Sequence, residues 1–180
     1  MLTINLQTED LVFRDISKEN LKDVLELFNQ NENNMYATGI DRKMSIIDMN
    51  EKYLEVLVNS HEFFVGIFLN SDEYVDSSQL VGVLKGRVDY ENCDEAWISS
   101  MLIDAKFQHK GIGKNATNEF IRFLNRSYDI KRIFIGILSG NEIGKKFWQR
   151  MGFSYIRTIE QYIKLNNHTE DFIIMRKNVS

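Results

Sequence analysis

The chain has 180 residues, 43% of them hydrophobic, and a net charge of −4. It is long enough for one domain with a sizeable core, expected over residues 1–180, and its charge balance argues against broad nucleic-acid affinity while mildly favouring a cationic substrate. No apolar run approaches the roughly 18 residues of a membrane span. The sole cysteine, Cys93, excludes an internal disulfide, and the opening MLTINLQTED has neither a basic start nor an apolar signal region, so a cytoplasmic setting is the expectation.

Leu11 to Ile16 predicts a short strand, and Ser17 then offers an N-cap to a helix with Leu21, Val24, Leu25 and Phe28 on one stripe. The Asn-rich Asn29 to Lys43 reads as a loop or broken helix, with Met35 and Tyr36 inside it. Ser45 caps a second helix whose inner face carries Met49, Tyr53, Val56 and Leu57. Phe63 to Leu69 is a strand, the acidic Asn70 to Ser78 a hairpin loop, and Leu80 to Asp89 a longer strand. Glu91 to Asp94 turns the chain into a buried strand, Ala96 to Ile103.

After a loop, Gly111 and Gly113 open a helix with Ala116, Phe120, Phe123 and Leu124 inward. Arg132 to Leu138 is nearly continuous in apolar residues, the mark of a strand buried on both faces, and it completes a parallel βαβ unit. Asn141 starts a short helix carrying Phe147 and Trp148, closed by Gly152 at its C-cap, and Phe153 to Thr158 and Asp171 to Arg176 supply the final strands. The order predicts an α/β (α+β mixed) fold with a mixed sheet of about six or seven strands and about four flanking helices.

The glycines at the helix start mark an anion site, since the first backbone N–H groups lack intrahelical partners and the helix dipole adds partial positive charge. Gln108, Lys110 and Lys114 supply donors and charge around it. A Walker A loop does not fit, because Gln108 and Asn115 stand where that motif needs Gly and Ser or Thr. Gly111, Gly113 and Ala116 do satisfy the looser dinucleotide pattern G-x-G-x-x-A, although Asp104 to Lys110 separate them from the strand. The third pattern is Q-x-x-G-x-G, spelled Gln108-His109-Lys110-Gly111-Ile112-Gly113. With NEIGKKFWQRMGF, Asn141 to Phe153, about thirty residues after the loop, it resembles the GCN5-related N-acetyltransferase (GNAT) superfamily.

That resemblance implies acetyl-CoA as cofactor and transfer of its acetyl group to a primary amine, of a small molecule or a protein, by direct attack in a ternary complex. It implies splayed parallel strands at the cofactor site, with Met101, Leu102 and Ile103 pairing with the pantetheine arm through backbone groups and an N–H near Leu102 as oxyanion donor. His109, Lys110, Gly111, Ile112, Gly113 and Lys114 form the phosphate loop with Gln108, while Asn141, Phe147 and Trp148 line the cofactor from the second motif. Asn141 equally suits a helix N-cap.

Trp148 stands where many family members carry a tyrosine acid, and indole cannot protonate a thiolate. Tyr155 or Tyr162 is the candidate replacement. Glu95 is the candidate base for deprotonating the amine, and Met35 and Tyr36 fall where the family builds its acceptor pocket. His61, His168 and Cys93 show no metal-ligand pattern. A non-catalytic CoA-binding regulatory module is the alternative, and a nucleotide-binding enzyme of another class a third reading. Oligomeric state is read as monomer or homodimer, with an edge strand such as Asp171 to Arg176 available for pairing.

Overall fold

The structure is a computed structural model that describes residues 1–31, 34–70, 79–89, 91–92, 94–165 and 167–180. Its strands are β1 (Asn5–Gln7), β2 (Leu11–Asp15), β3 (Glu62–Leu69), β4 (Leu80–Val88), β5 (Glu95–Ile103), β6 (Arg132–Leu138), β7 (Ser154–Leu165) and β8 (His168–Asn178). The helices are α1 (Leu21–Asn29), α2 (Asn34–Thr38), α3 (Ile46–Leu57), α4 (Ile112–Tyr128) and α5 (Glu142–Arg150). One mixed sheet runs β1-β2-β3-β4-β5-β6-β8-β7. Every described pairing is antiparallel except β5 with β6, which is parallel as the βαβ pattern requires. No described helix is long and apolar enough to cross a membrane.

The sheet exceeds the expected six or seven strands because β1 is only three residues long, too short to show alternation. The extra helix, α2, has five residues and no readable periodicity; it is anchored where Asn34 Nδ2 donates to the Leu27 carbonyl (2.8 Å). Ser45 caps α3 as predicted, accepting the Asp48 N–H, but Leu57 turns outward and is 37% exposed, leaving Met49, Tyr53 and Val56 to face the core. Asp171 to Arg176 is not an edge: β8 lies between β6 and β7, and β1 and β7 bound the sheet. Of the expected hairpin loop only Asn70 lies within the described residues, as do only Glu91, Asn92 and Asp94 of the next turn.

Each face of the sheet has its own apolar layer. On one, α4 and α5 bring Phe120, Leu124 and Trp148 against Phe13, Phe63, Ile98 and Ile135, with the Phe120 ring 5.2 Å from that of Phe63. On the other, α1 and α3 pack Val24, Phe28, Met49 and Val56 over Phe64, Val83 and Leu102. The helices thus clamp the centre of the sheet, where β5 and β6 meet.

Candidate active site

β5 and β6 begin in register, Glu95 opposite Arg132 through Ile98 opposite Ile135, and then pair no further. β4 continues beside β5 to Ile103, and β8 beside β6 to Leu138, so each strand keeps its outer partner while the inner edges part. A bulge sits at the start of the gap: Ile98 faces Gly86 and Ser100 faces Lys85, which leaves Ser99 as the extra residue. Bulges bend a strand locally. The result is a cavity of about 880 Å³ between the separated strands.

The antiparallel ladder decides which backbone groups of β5 face the gap. Asp104 N–H donates to the Val81 carbonyl (2.9 Å), so that facing pair is a hydrogen-bonded one. Such pairs alternate along an antiparallel ladder. Leu102 stands opposite Val83. The Leu102 N–H itself therefore faces β4, and the N–H groups on either side of it, those of Met101 and Ile103, face the gap. The Ile103 carbonyl confirms the direction, because it accepts from Gln108 Nε2 across the loop (2.8 Å). The Gln108 amide nitrogen thus secures the loop to β5.

Asp104 opens that loop by accepting the Lys106 N–H (2.8 Å). Gly111 then caps α4 with φ +82°, a left-handed conformation that glycine adopts without strain. The first bond of α4 runs from Asn115 N–H to the Gly111 carbonyl (2.9 Å), so the N–H groups of Ile112, Gly113 and Lys114 precede the intrahelical ladder. A Cβ on Gly113 would lie 3.5 Å from Ile103, 3.7 Å from Phe147 and 3.9 Å from Met101, in the passage between β5 and α5. Asn141 caps α5 by accepting the Gly144 N–H (2.8 Å), and Gly144 stands so close to the Asn141 side chain that a Cβ would overlap it.

Most of the expected cofactor residues meet at this cavity: Met101, Leu102, Ile103, Gln108, His109, Gly111, Gly113, Lys114, Asn141, Phe147 and Trp148 line it. Lys110 and Ile112 do not line it. Lys110 lies over the Phe107 ring at 5.4 Å, and Ile112 packs on the core. Trp148 is buried edge-to-face between Phe147 and Phe153, each ring 5.0 Å away. Tyr36 lines the cavity; Met35 beside it does not.

The catalytic expectations for Glu95 and Tyr155 place those residues at a cavity they do not line. Glu95 begins β5, at the paired end opposite the gap, and accepts from Arg132 Nε (2.7 Å). That bond raises the Arg132 guanidinium above its ordinary pKa, with the Asp94 charge adding to it. Tyr155 is 61% exposed on β7, its hydroxyl 3.3 Å from Thr158 Oγ1. Tyr162 stacks on Phe172 (4.5 Å). Lining residues that the sequence did not single out include Ser99, Ser100, Gly136, Gly140 and Arg150. Only Gly136 had a signal, a glycine inside a strand pattern.

Among the described strands the one parallel pair of this mixed sheet opens beside a helix N-terminus, and residues 13–174 match the acetyltransferase (GNAT) domain. The chain belongs to that family. It is 34% identical over 59 residues to the spermine/spermidine N(1)-acetyltransferase of Bacillus subtilis (strain 168), a match covering 33% of this chain and 39% of that protein. The match thus spans about two fifths of that relative's length. Among solved structures, spermidine N-acetyltransferase from Vibrio cholerae, in complex with CoA and spermine, shares the fold at TM-score 0.79 and 16% identity, covering 95% of this chain and 96% of that one. The acetyltransferase that modifies the N-terminal serine of L7/L12 from Salmonella typhimurium is equally similar, at TM-score 0.79 and 17% identity over 96% and 97% of the two chains.

Proposed function

We propose that the protein is an acetyl-CoA-dependent N-acetyltransferase acting on a primary amine. The observation that carries this reading is the opening of β5 from β6 directly before the unbonded N–H groups of α4, within a chain of the GNAT family. The residues fit acetyl-CoA. Its diphosphate would meet the N–H groups of Ile112, Gly113 and Lys114 and the positive end of a 17-residue helix, with Lys114 and Arg150 as cations on the cavity wall. Its amide-bearing arm would lie along the unpaired edge of β5, and the apolar side chains of Met101, Ile103 and Phe147 would enclose its methylene groups.

When bound, acetyl-CoA supplies a thioester whose carbonyl carbon accepts the amine. The Met101 and Ile103 N–H groups point into the gap, and one of them next to Leu102 would stabilise negative charge on the carbonyl oxygen, an interaction whose removal elsewhere costs about 3 kcal/mol. Trp148, on the cavity wall, would pack beside the arm and has no proton to give a thiolate; a thiol with a pKa of about 8.5 would leave without a strong acid. The matched stretch of the Bacillus subtilis relative and the acceptors named for the Vibrio and Salmonella structures support an amine as acceptor.

The test follows free thiol release from acetyl-CoA with a panel of alkyl diamines, polyamines and N-terminal peptides. Amine-dependent release is expected, together with an acetylated product of matching mass. Binding of acetyl-CoA without release across the panel would favour the non-catalytic module instead.

A further inference from the structure

Partner residues on adjacent strands point to the same side of a sheet, so the register maps the face opposite α4 and α5. Trp97 and Phe134, partners across β5 and β6, stack there at 4.9 Å. Phe134 stands opposite Arg176 on β8, Gly136 opposite Ile174, and Ile174 opposite Arg157 on β7. Phe172, whose ring lies over Gly136, belongs to the same side, with Tyr162 stacked on it at 4.5 Å. Gly136 lines the cavity, so this face borders the gap.

The helices leave this part of the sheet open. α1 and α3 cover Phe64, Val83 and Leu102 on β3, β4 and β5. Beyond them Trp97, Phe134, Phe172 and Arg176 are half-buried, and Arg157, Ile159 and Tyr162 are exposed. Neither Arg157 nor Arg176 forms an ion pair with the described residues. Asp94 and Glu95, toward the start of β5, are already held by Arg132 at 2.8 and 2.7 Å. Two unpaired guanidinium groups on neighbouring strands beside aromatic rings suit an anionic chain with apolar parts.

The gap fixes where such a chain begins. With acetyl-CoA presented from the side of α4 and α5, the acceptor amine arrives from this one. Arg157 is two strands beyond Gly136, about 10 Å at ordinary strand spacing and within reach of about three extended residues. An α-amine suits the chemistry, because a pKa of about 7.7–8.0 leaves roughly a tenth of it uncharged at pH 7, far more than an alkylamine near 10.4.

We propose that this sheet face seats the acceptor, and that the acceptor is a polypeptide with its N-terminal amine in the gap and acidic side chains at its third or fourth residue against Arg157 and Arg176. This rests on the acetyltransferase reading and adds a substrate class to it. Arginines along the path repel polycations, and the net charge of −4 disfavours nucleic acid.

Thiol release from acetyl-CoA with three hexapeptides tests this, the peptides differing only at residues three and four, both Glu, both Gln or both Lys. The kcat/KM should be at least about tenfold higher for the Glu peptide than for the Lys peptide, with the Gln peptide between. Arg157→Glu, at an exposed position on an edge strand, should reverse that preference. Arg176→Gln should bring the Glu peptide down several-fold toward the Gln peptide, and both variants should keep the CoA affinity and thermal midpoint of wild type. Equal turnover of the three peptides, an unchanged preference in Arg157→Glu, tighter binding of a single-stranded oligonucleotide than of the Glu peptide, or a dimer that Arg157→Glu dissociates would overturn the assignment. If no peptide releases thiol, the acetyltransferase reading fails separately, and fluorescence anisotropy of the Glu peptide labelled at its C-terminus decides the surface. Binding that is lost in Arg157→Glu supports it, and no binding to wild type overturns it.

Discussion

Gly113→Ala should stabilise the protein and weaken acetyl-CoA binding together. The added methyl would meet Ile103, Phe147 and Met101 at 3.5 to 3.9 Å, ordinary contact distances, so the empty fold accepts it. Gly113 is in the first turn of α4, where alanine gains about 0.5–1 kcal/mol over glycine, or about 1–4 °C in thermal midpoint for a domain of this size. The same methyl occupies the passage by which a diphosphate reaches the helix N–H groups. Overpacking of about 1–3 kcal/mol corresponds to about a five- to 150-fold loss of affinity. Scanning calorimetry and isothermal titration with acetyl-CoA measure the two effects on one sample. Unchanged affinity would refute the path of the ligand over Gly113, and a marked loss of stability would refute the open space beside it. Gly113→Glu, which adds bulk and negative charge, should abolish binding in a folded protein.

Asn141 separates capping from ligand contact. Asn141→Ala should lower stability by about 1 kcal/mol through loss of the bond from Gly144 N–H, whereas Asn141→Asp keeps the cap and should weaken only acetyl-CoA binding by charge repulsion. Equal binding by Asn141→Asp and wild type would remove Asn141 from the ligand site. Glu95→Gln and Tyr155→Phe should leave the turnover rate within about threefold, with Glu95→Gln losing less than about 1 kcal/mol from its partly exposed pair with Arg132; a large loss of rate in either would restore it to the chemistry.

Asp15 accepts the Ile4 N–H (3.0 Å), yet burial pushes its carboxyl above the usual range. A raised folded-state pKa stabilises below the unfolded value of about 3.9, and that contribution is lost as pH rises through the folded value. Asp15→Asn should therefore match or exceed wild-type stability at pH 7 and lose its advantage as pH falls toward 4, read by denaturant titration at each pH.

The sequence revealed those parts of the site that depend on local chain chemistry. Gly111 and Gly113 marked a helix start because glycine takes the left-handed cap without strain and leaves the helix N–H groups uncovered, and Asn141 was legible both as cap and as motif residue. The parallel β5–β6 pair followed from two apolar runs joined by a helix. What pairing in space decides was not legible. Glu95 read as a free acid beside the site because its partner, Arg132, lies 37 residues away and pairs with it only through strand register. The alternation that turns Leu102 toward β4 and Met101 toward the gap depends on the Val81–Asp104 register, which no local pattern encodes. Glu170 stood in a polar stretch, and only the packing of β8 beside β6 buries it, against the Ser139 hydroxyl and the Gly140 N–H.

The central claim is that the opening between β5 and β6 binds acetyl-CoA. Thermal unfolding of the protein alone and with acetyl-CoA, CoA, NAD or ATP tests it without knowledge of the acceptor. At a hundred times the dissociation constant, acetyl-CoA and CoA should each add about 2.7 kcal/mol, a rise of about 5–11 °C, and NAD and ATP little or nothing. A protein freed of copurified ligand that shifts with NAD or ATP but not with either CoA species would contradict the account.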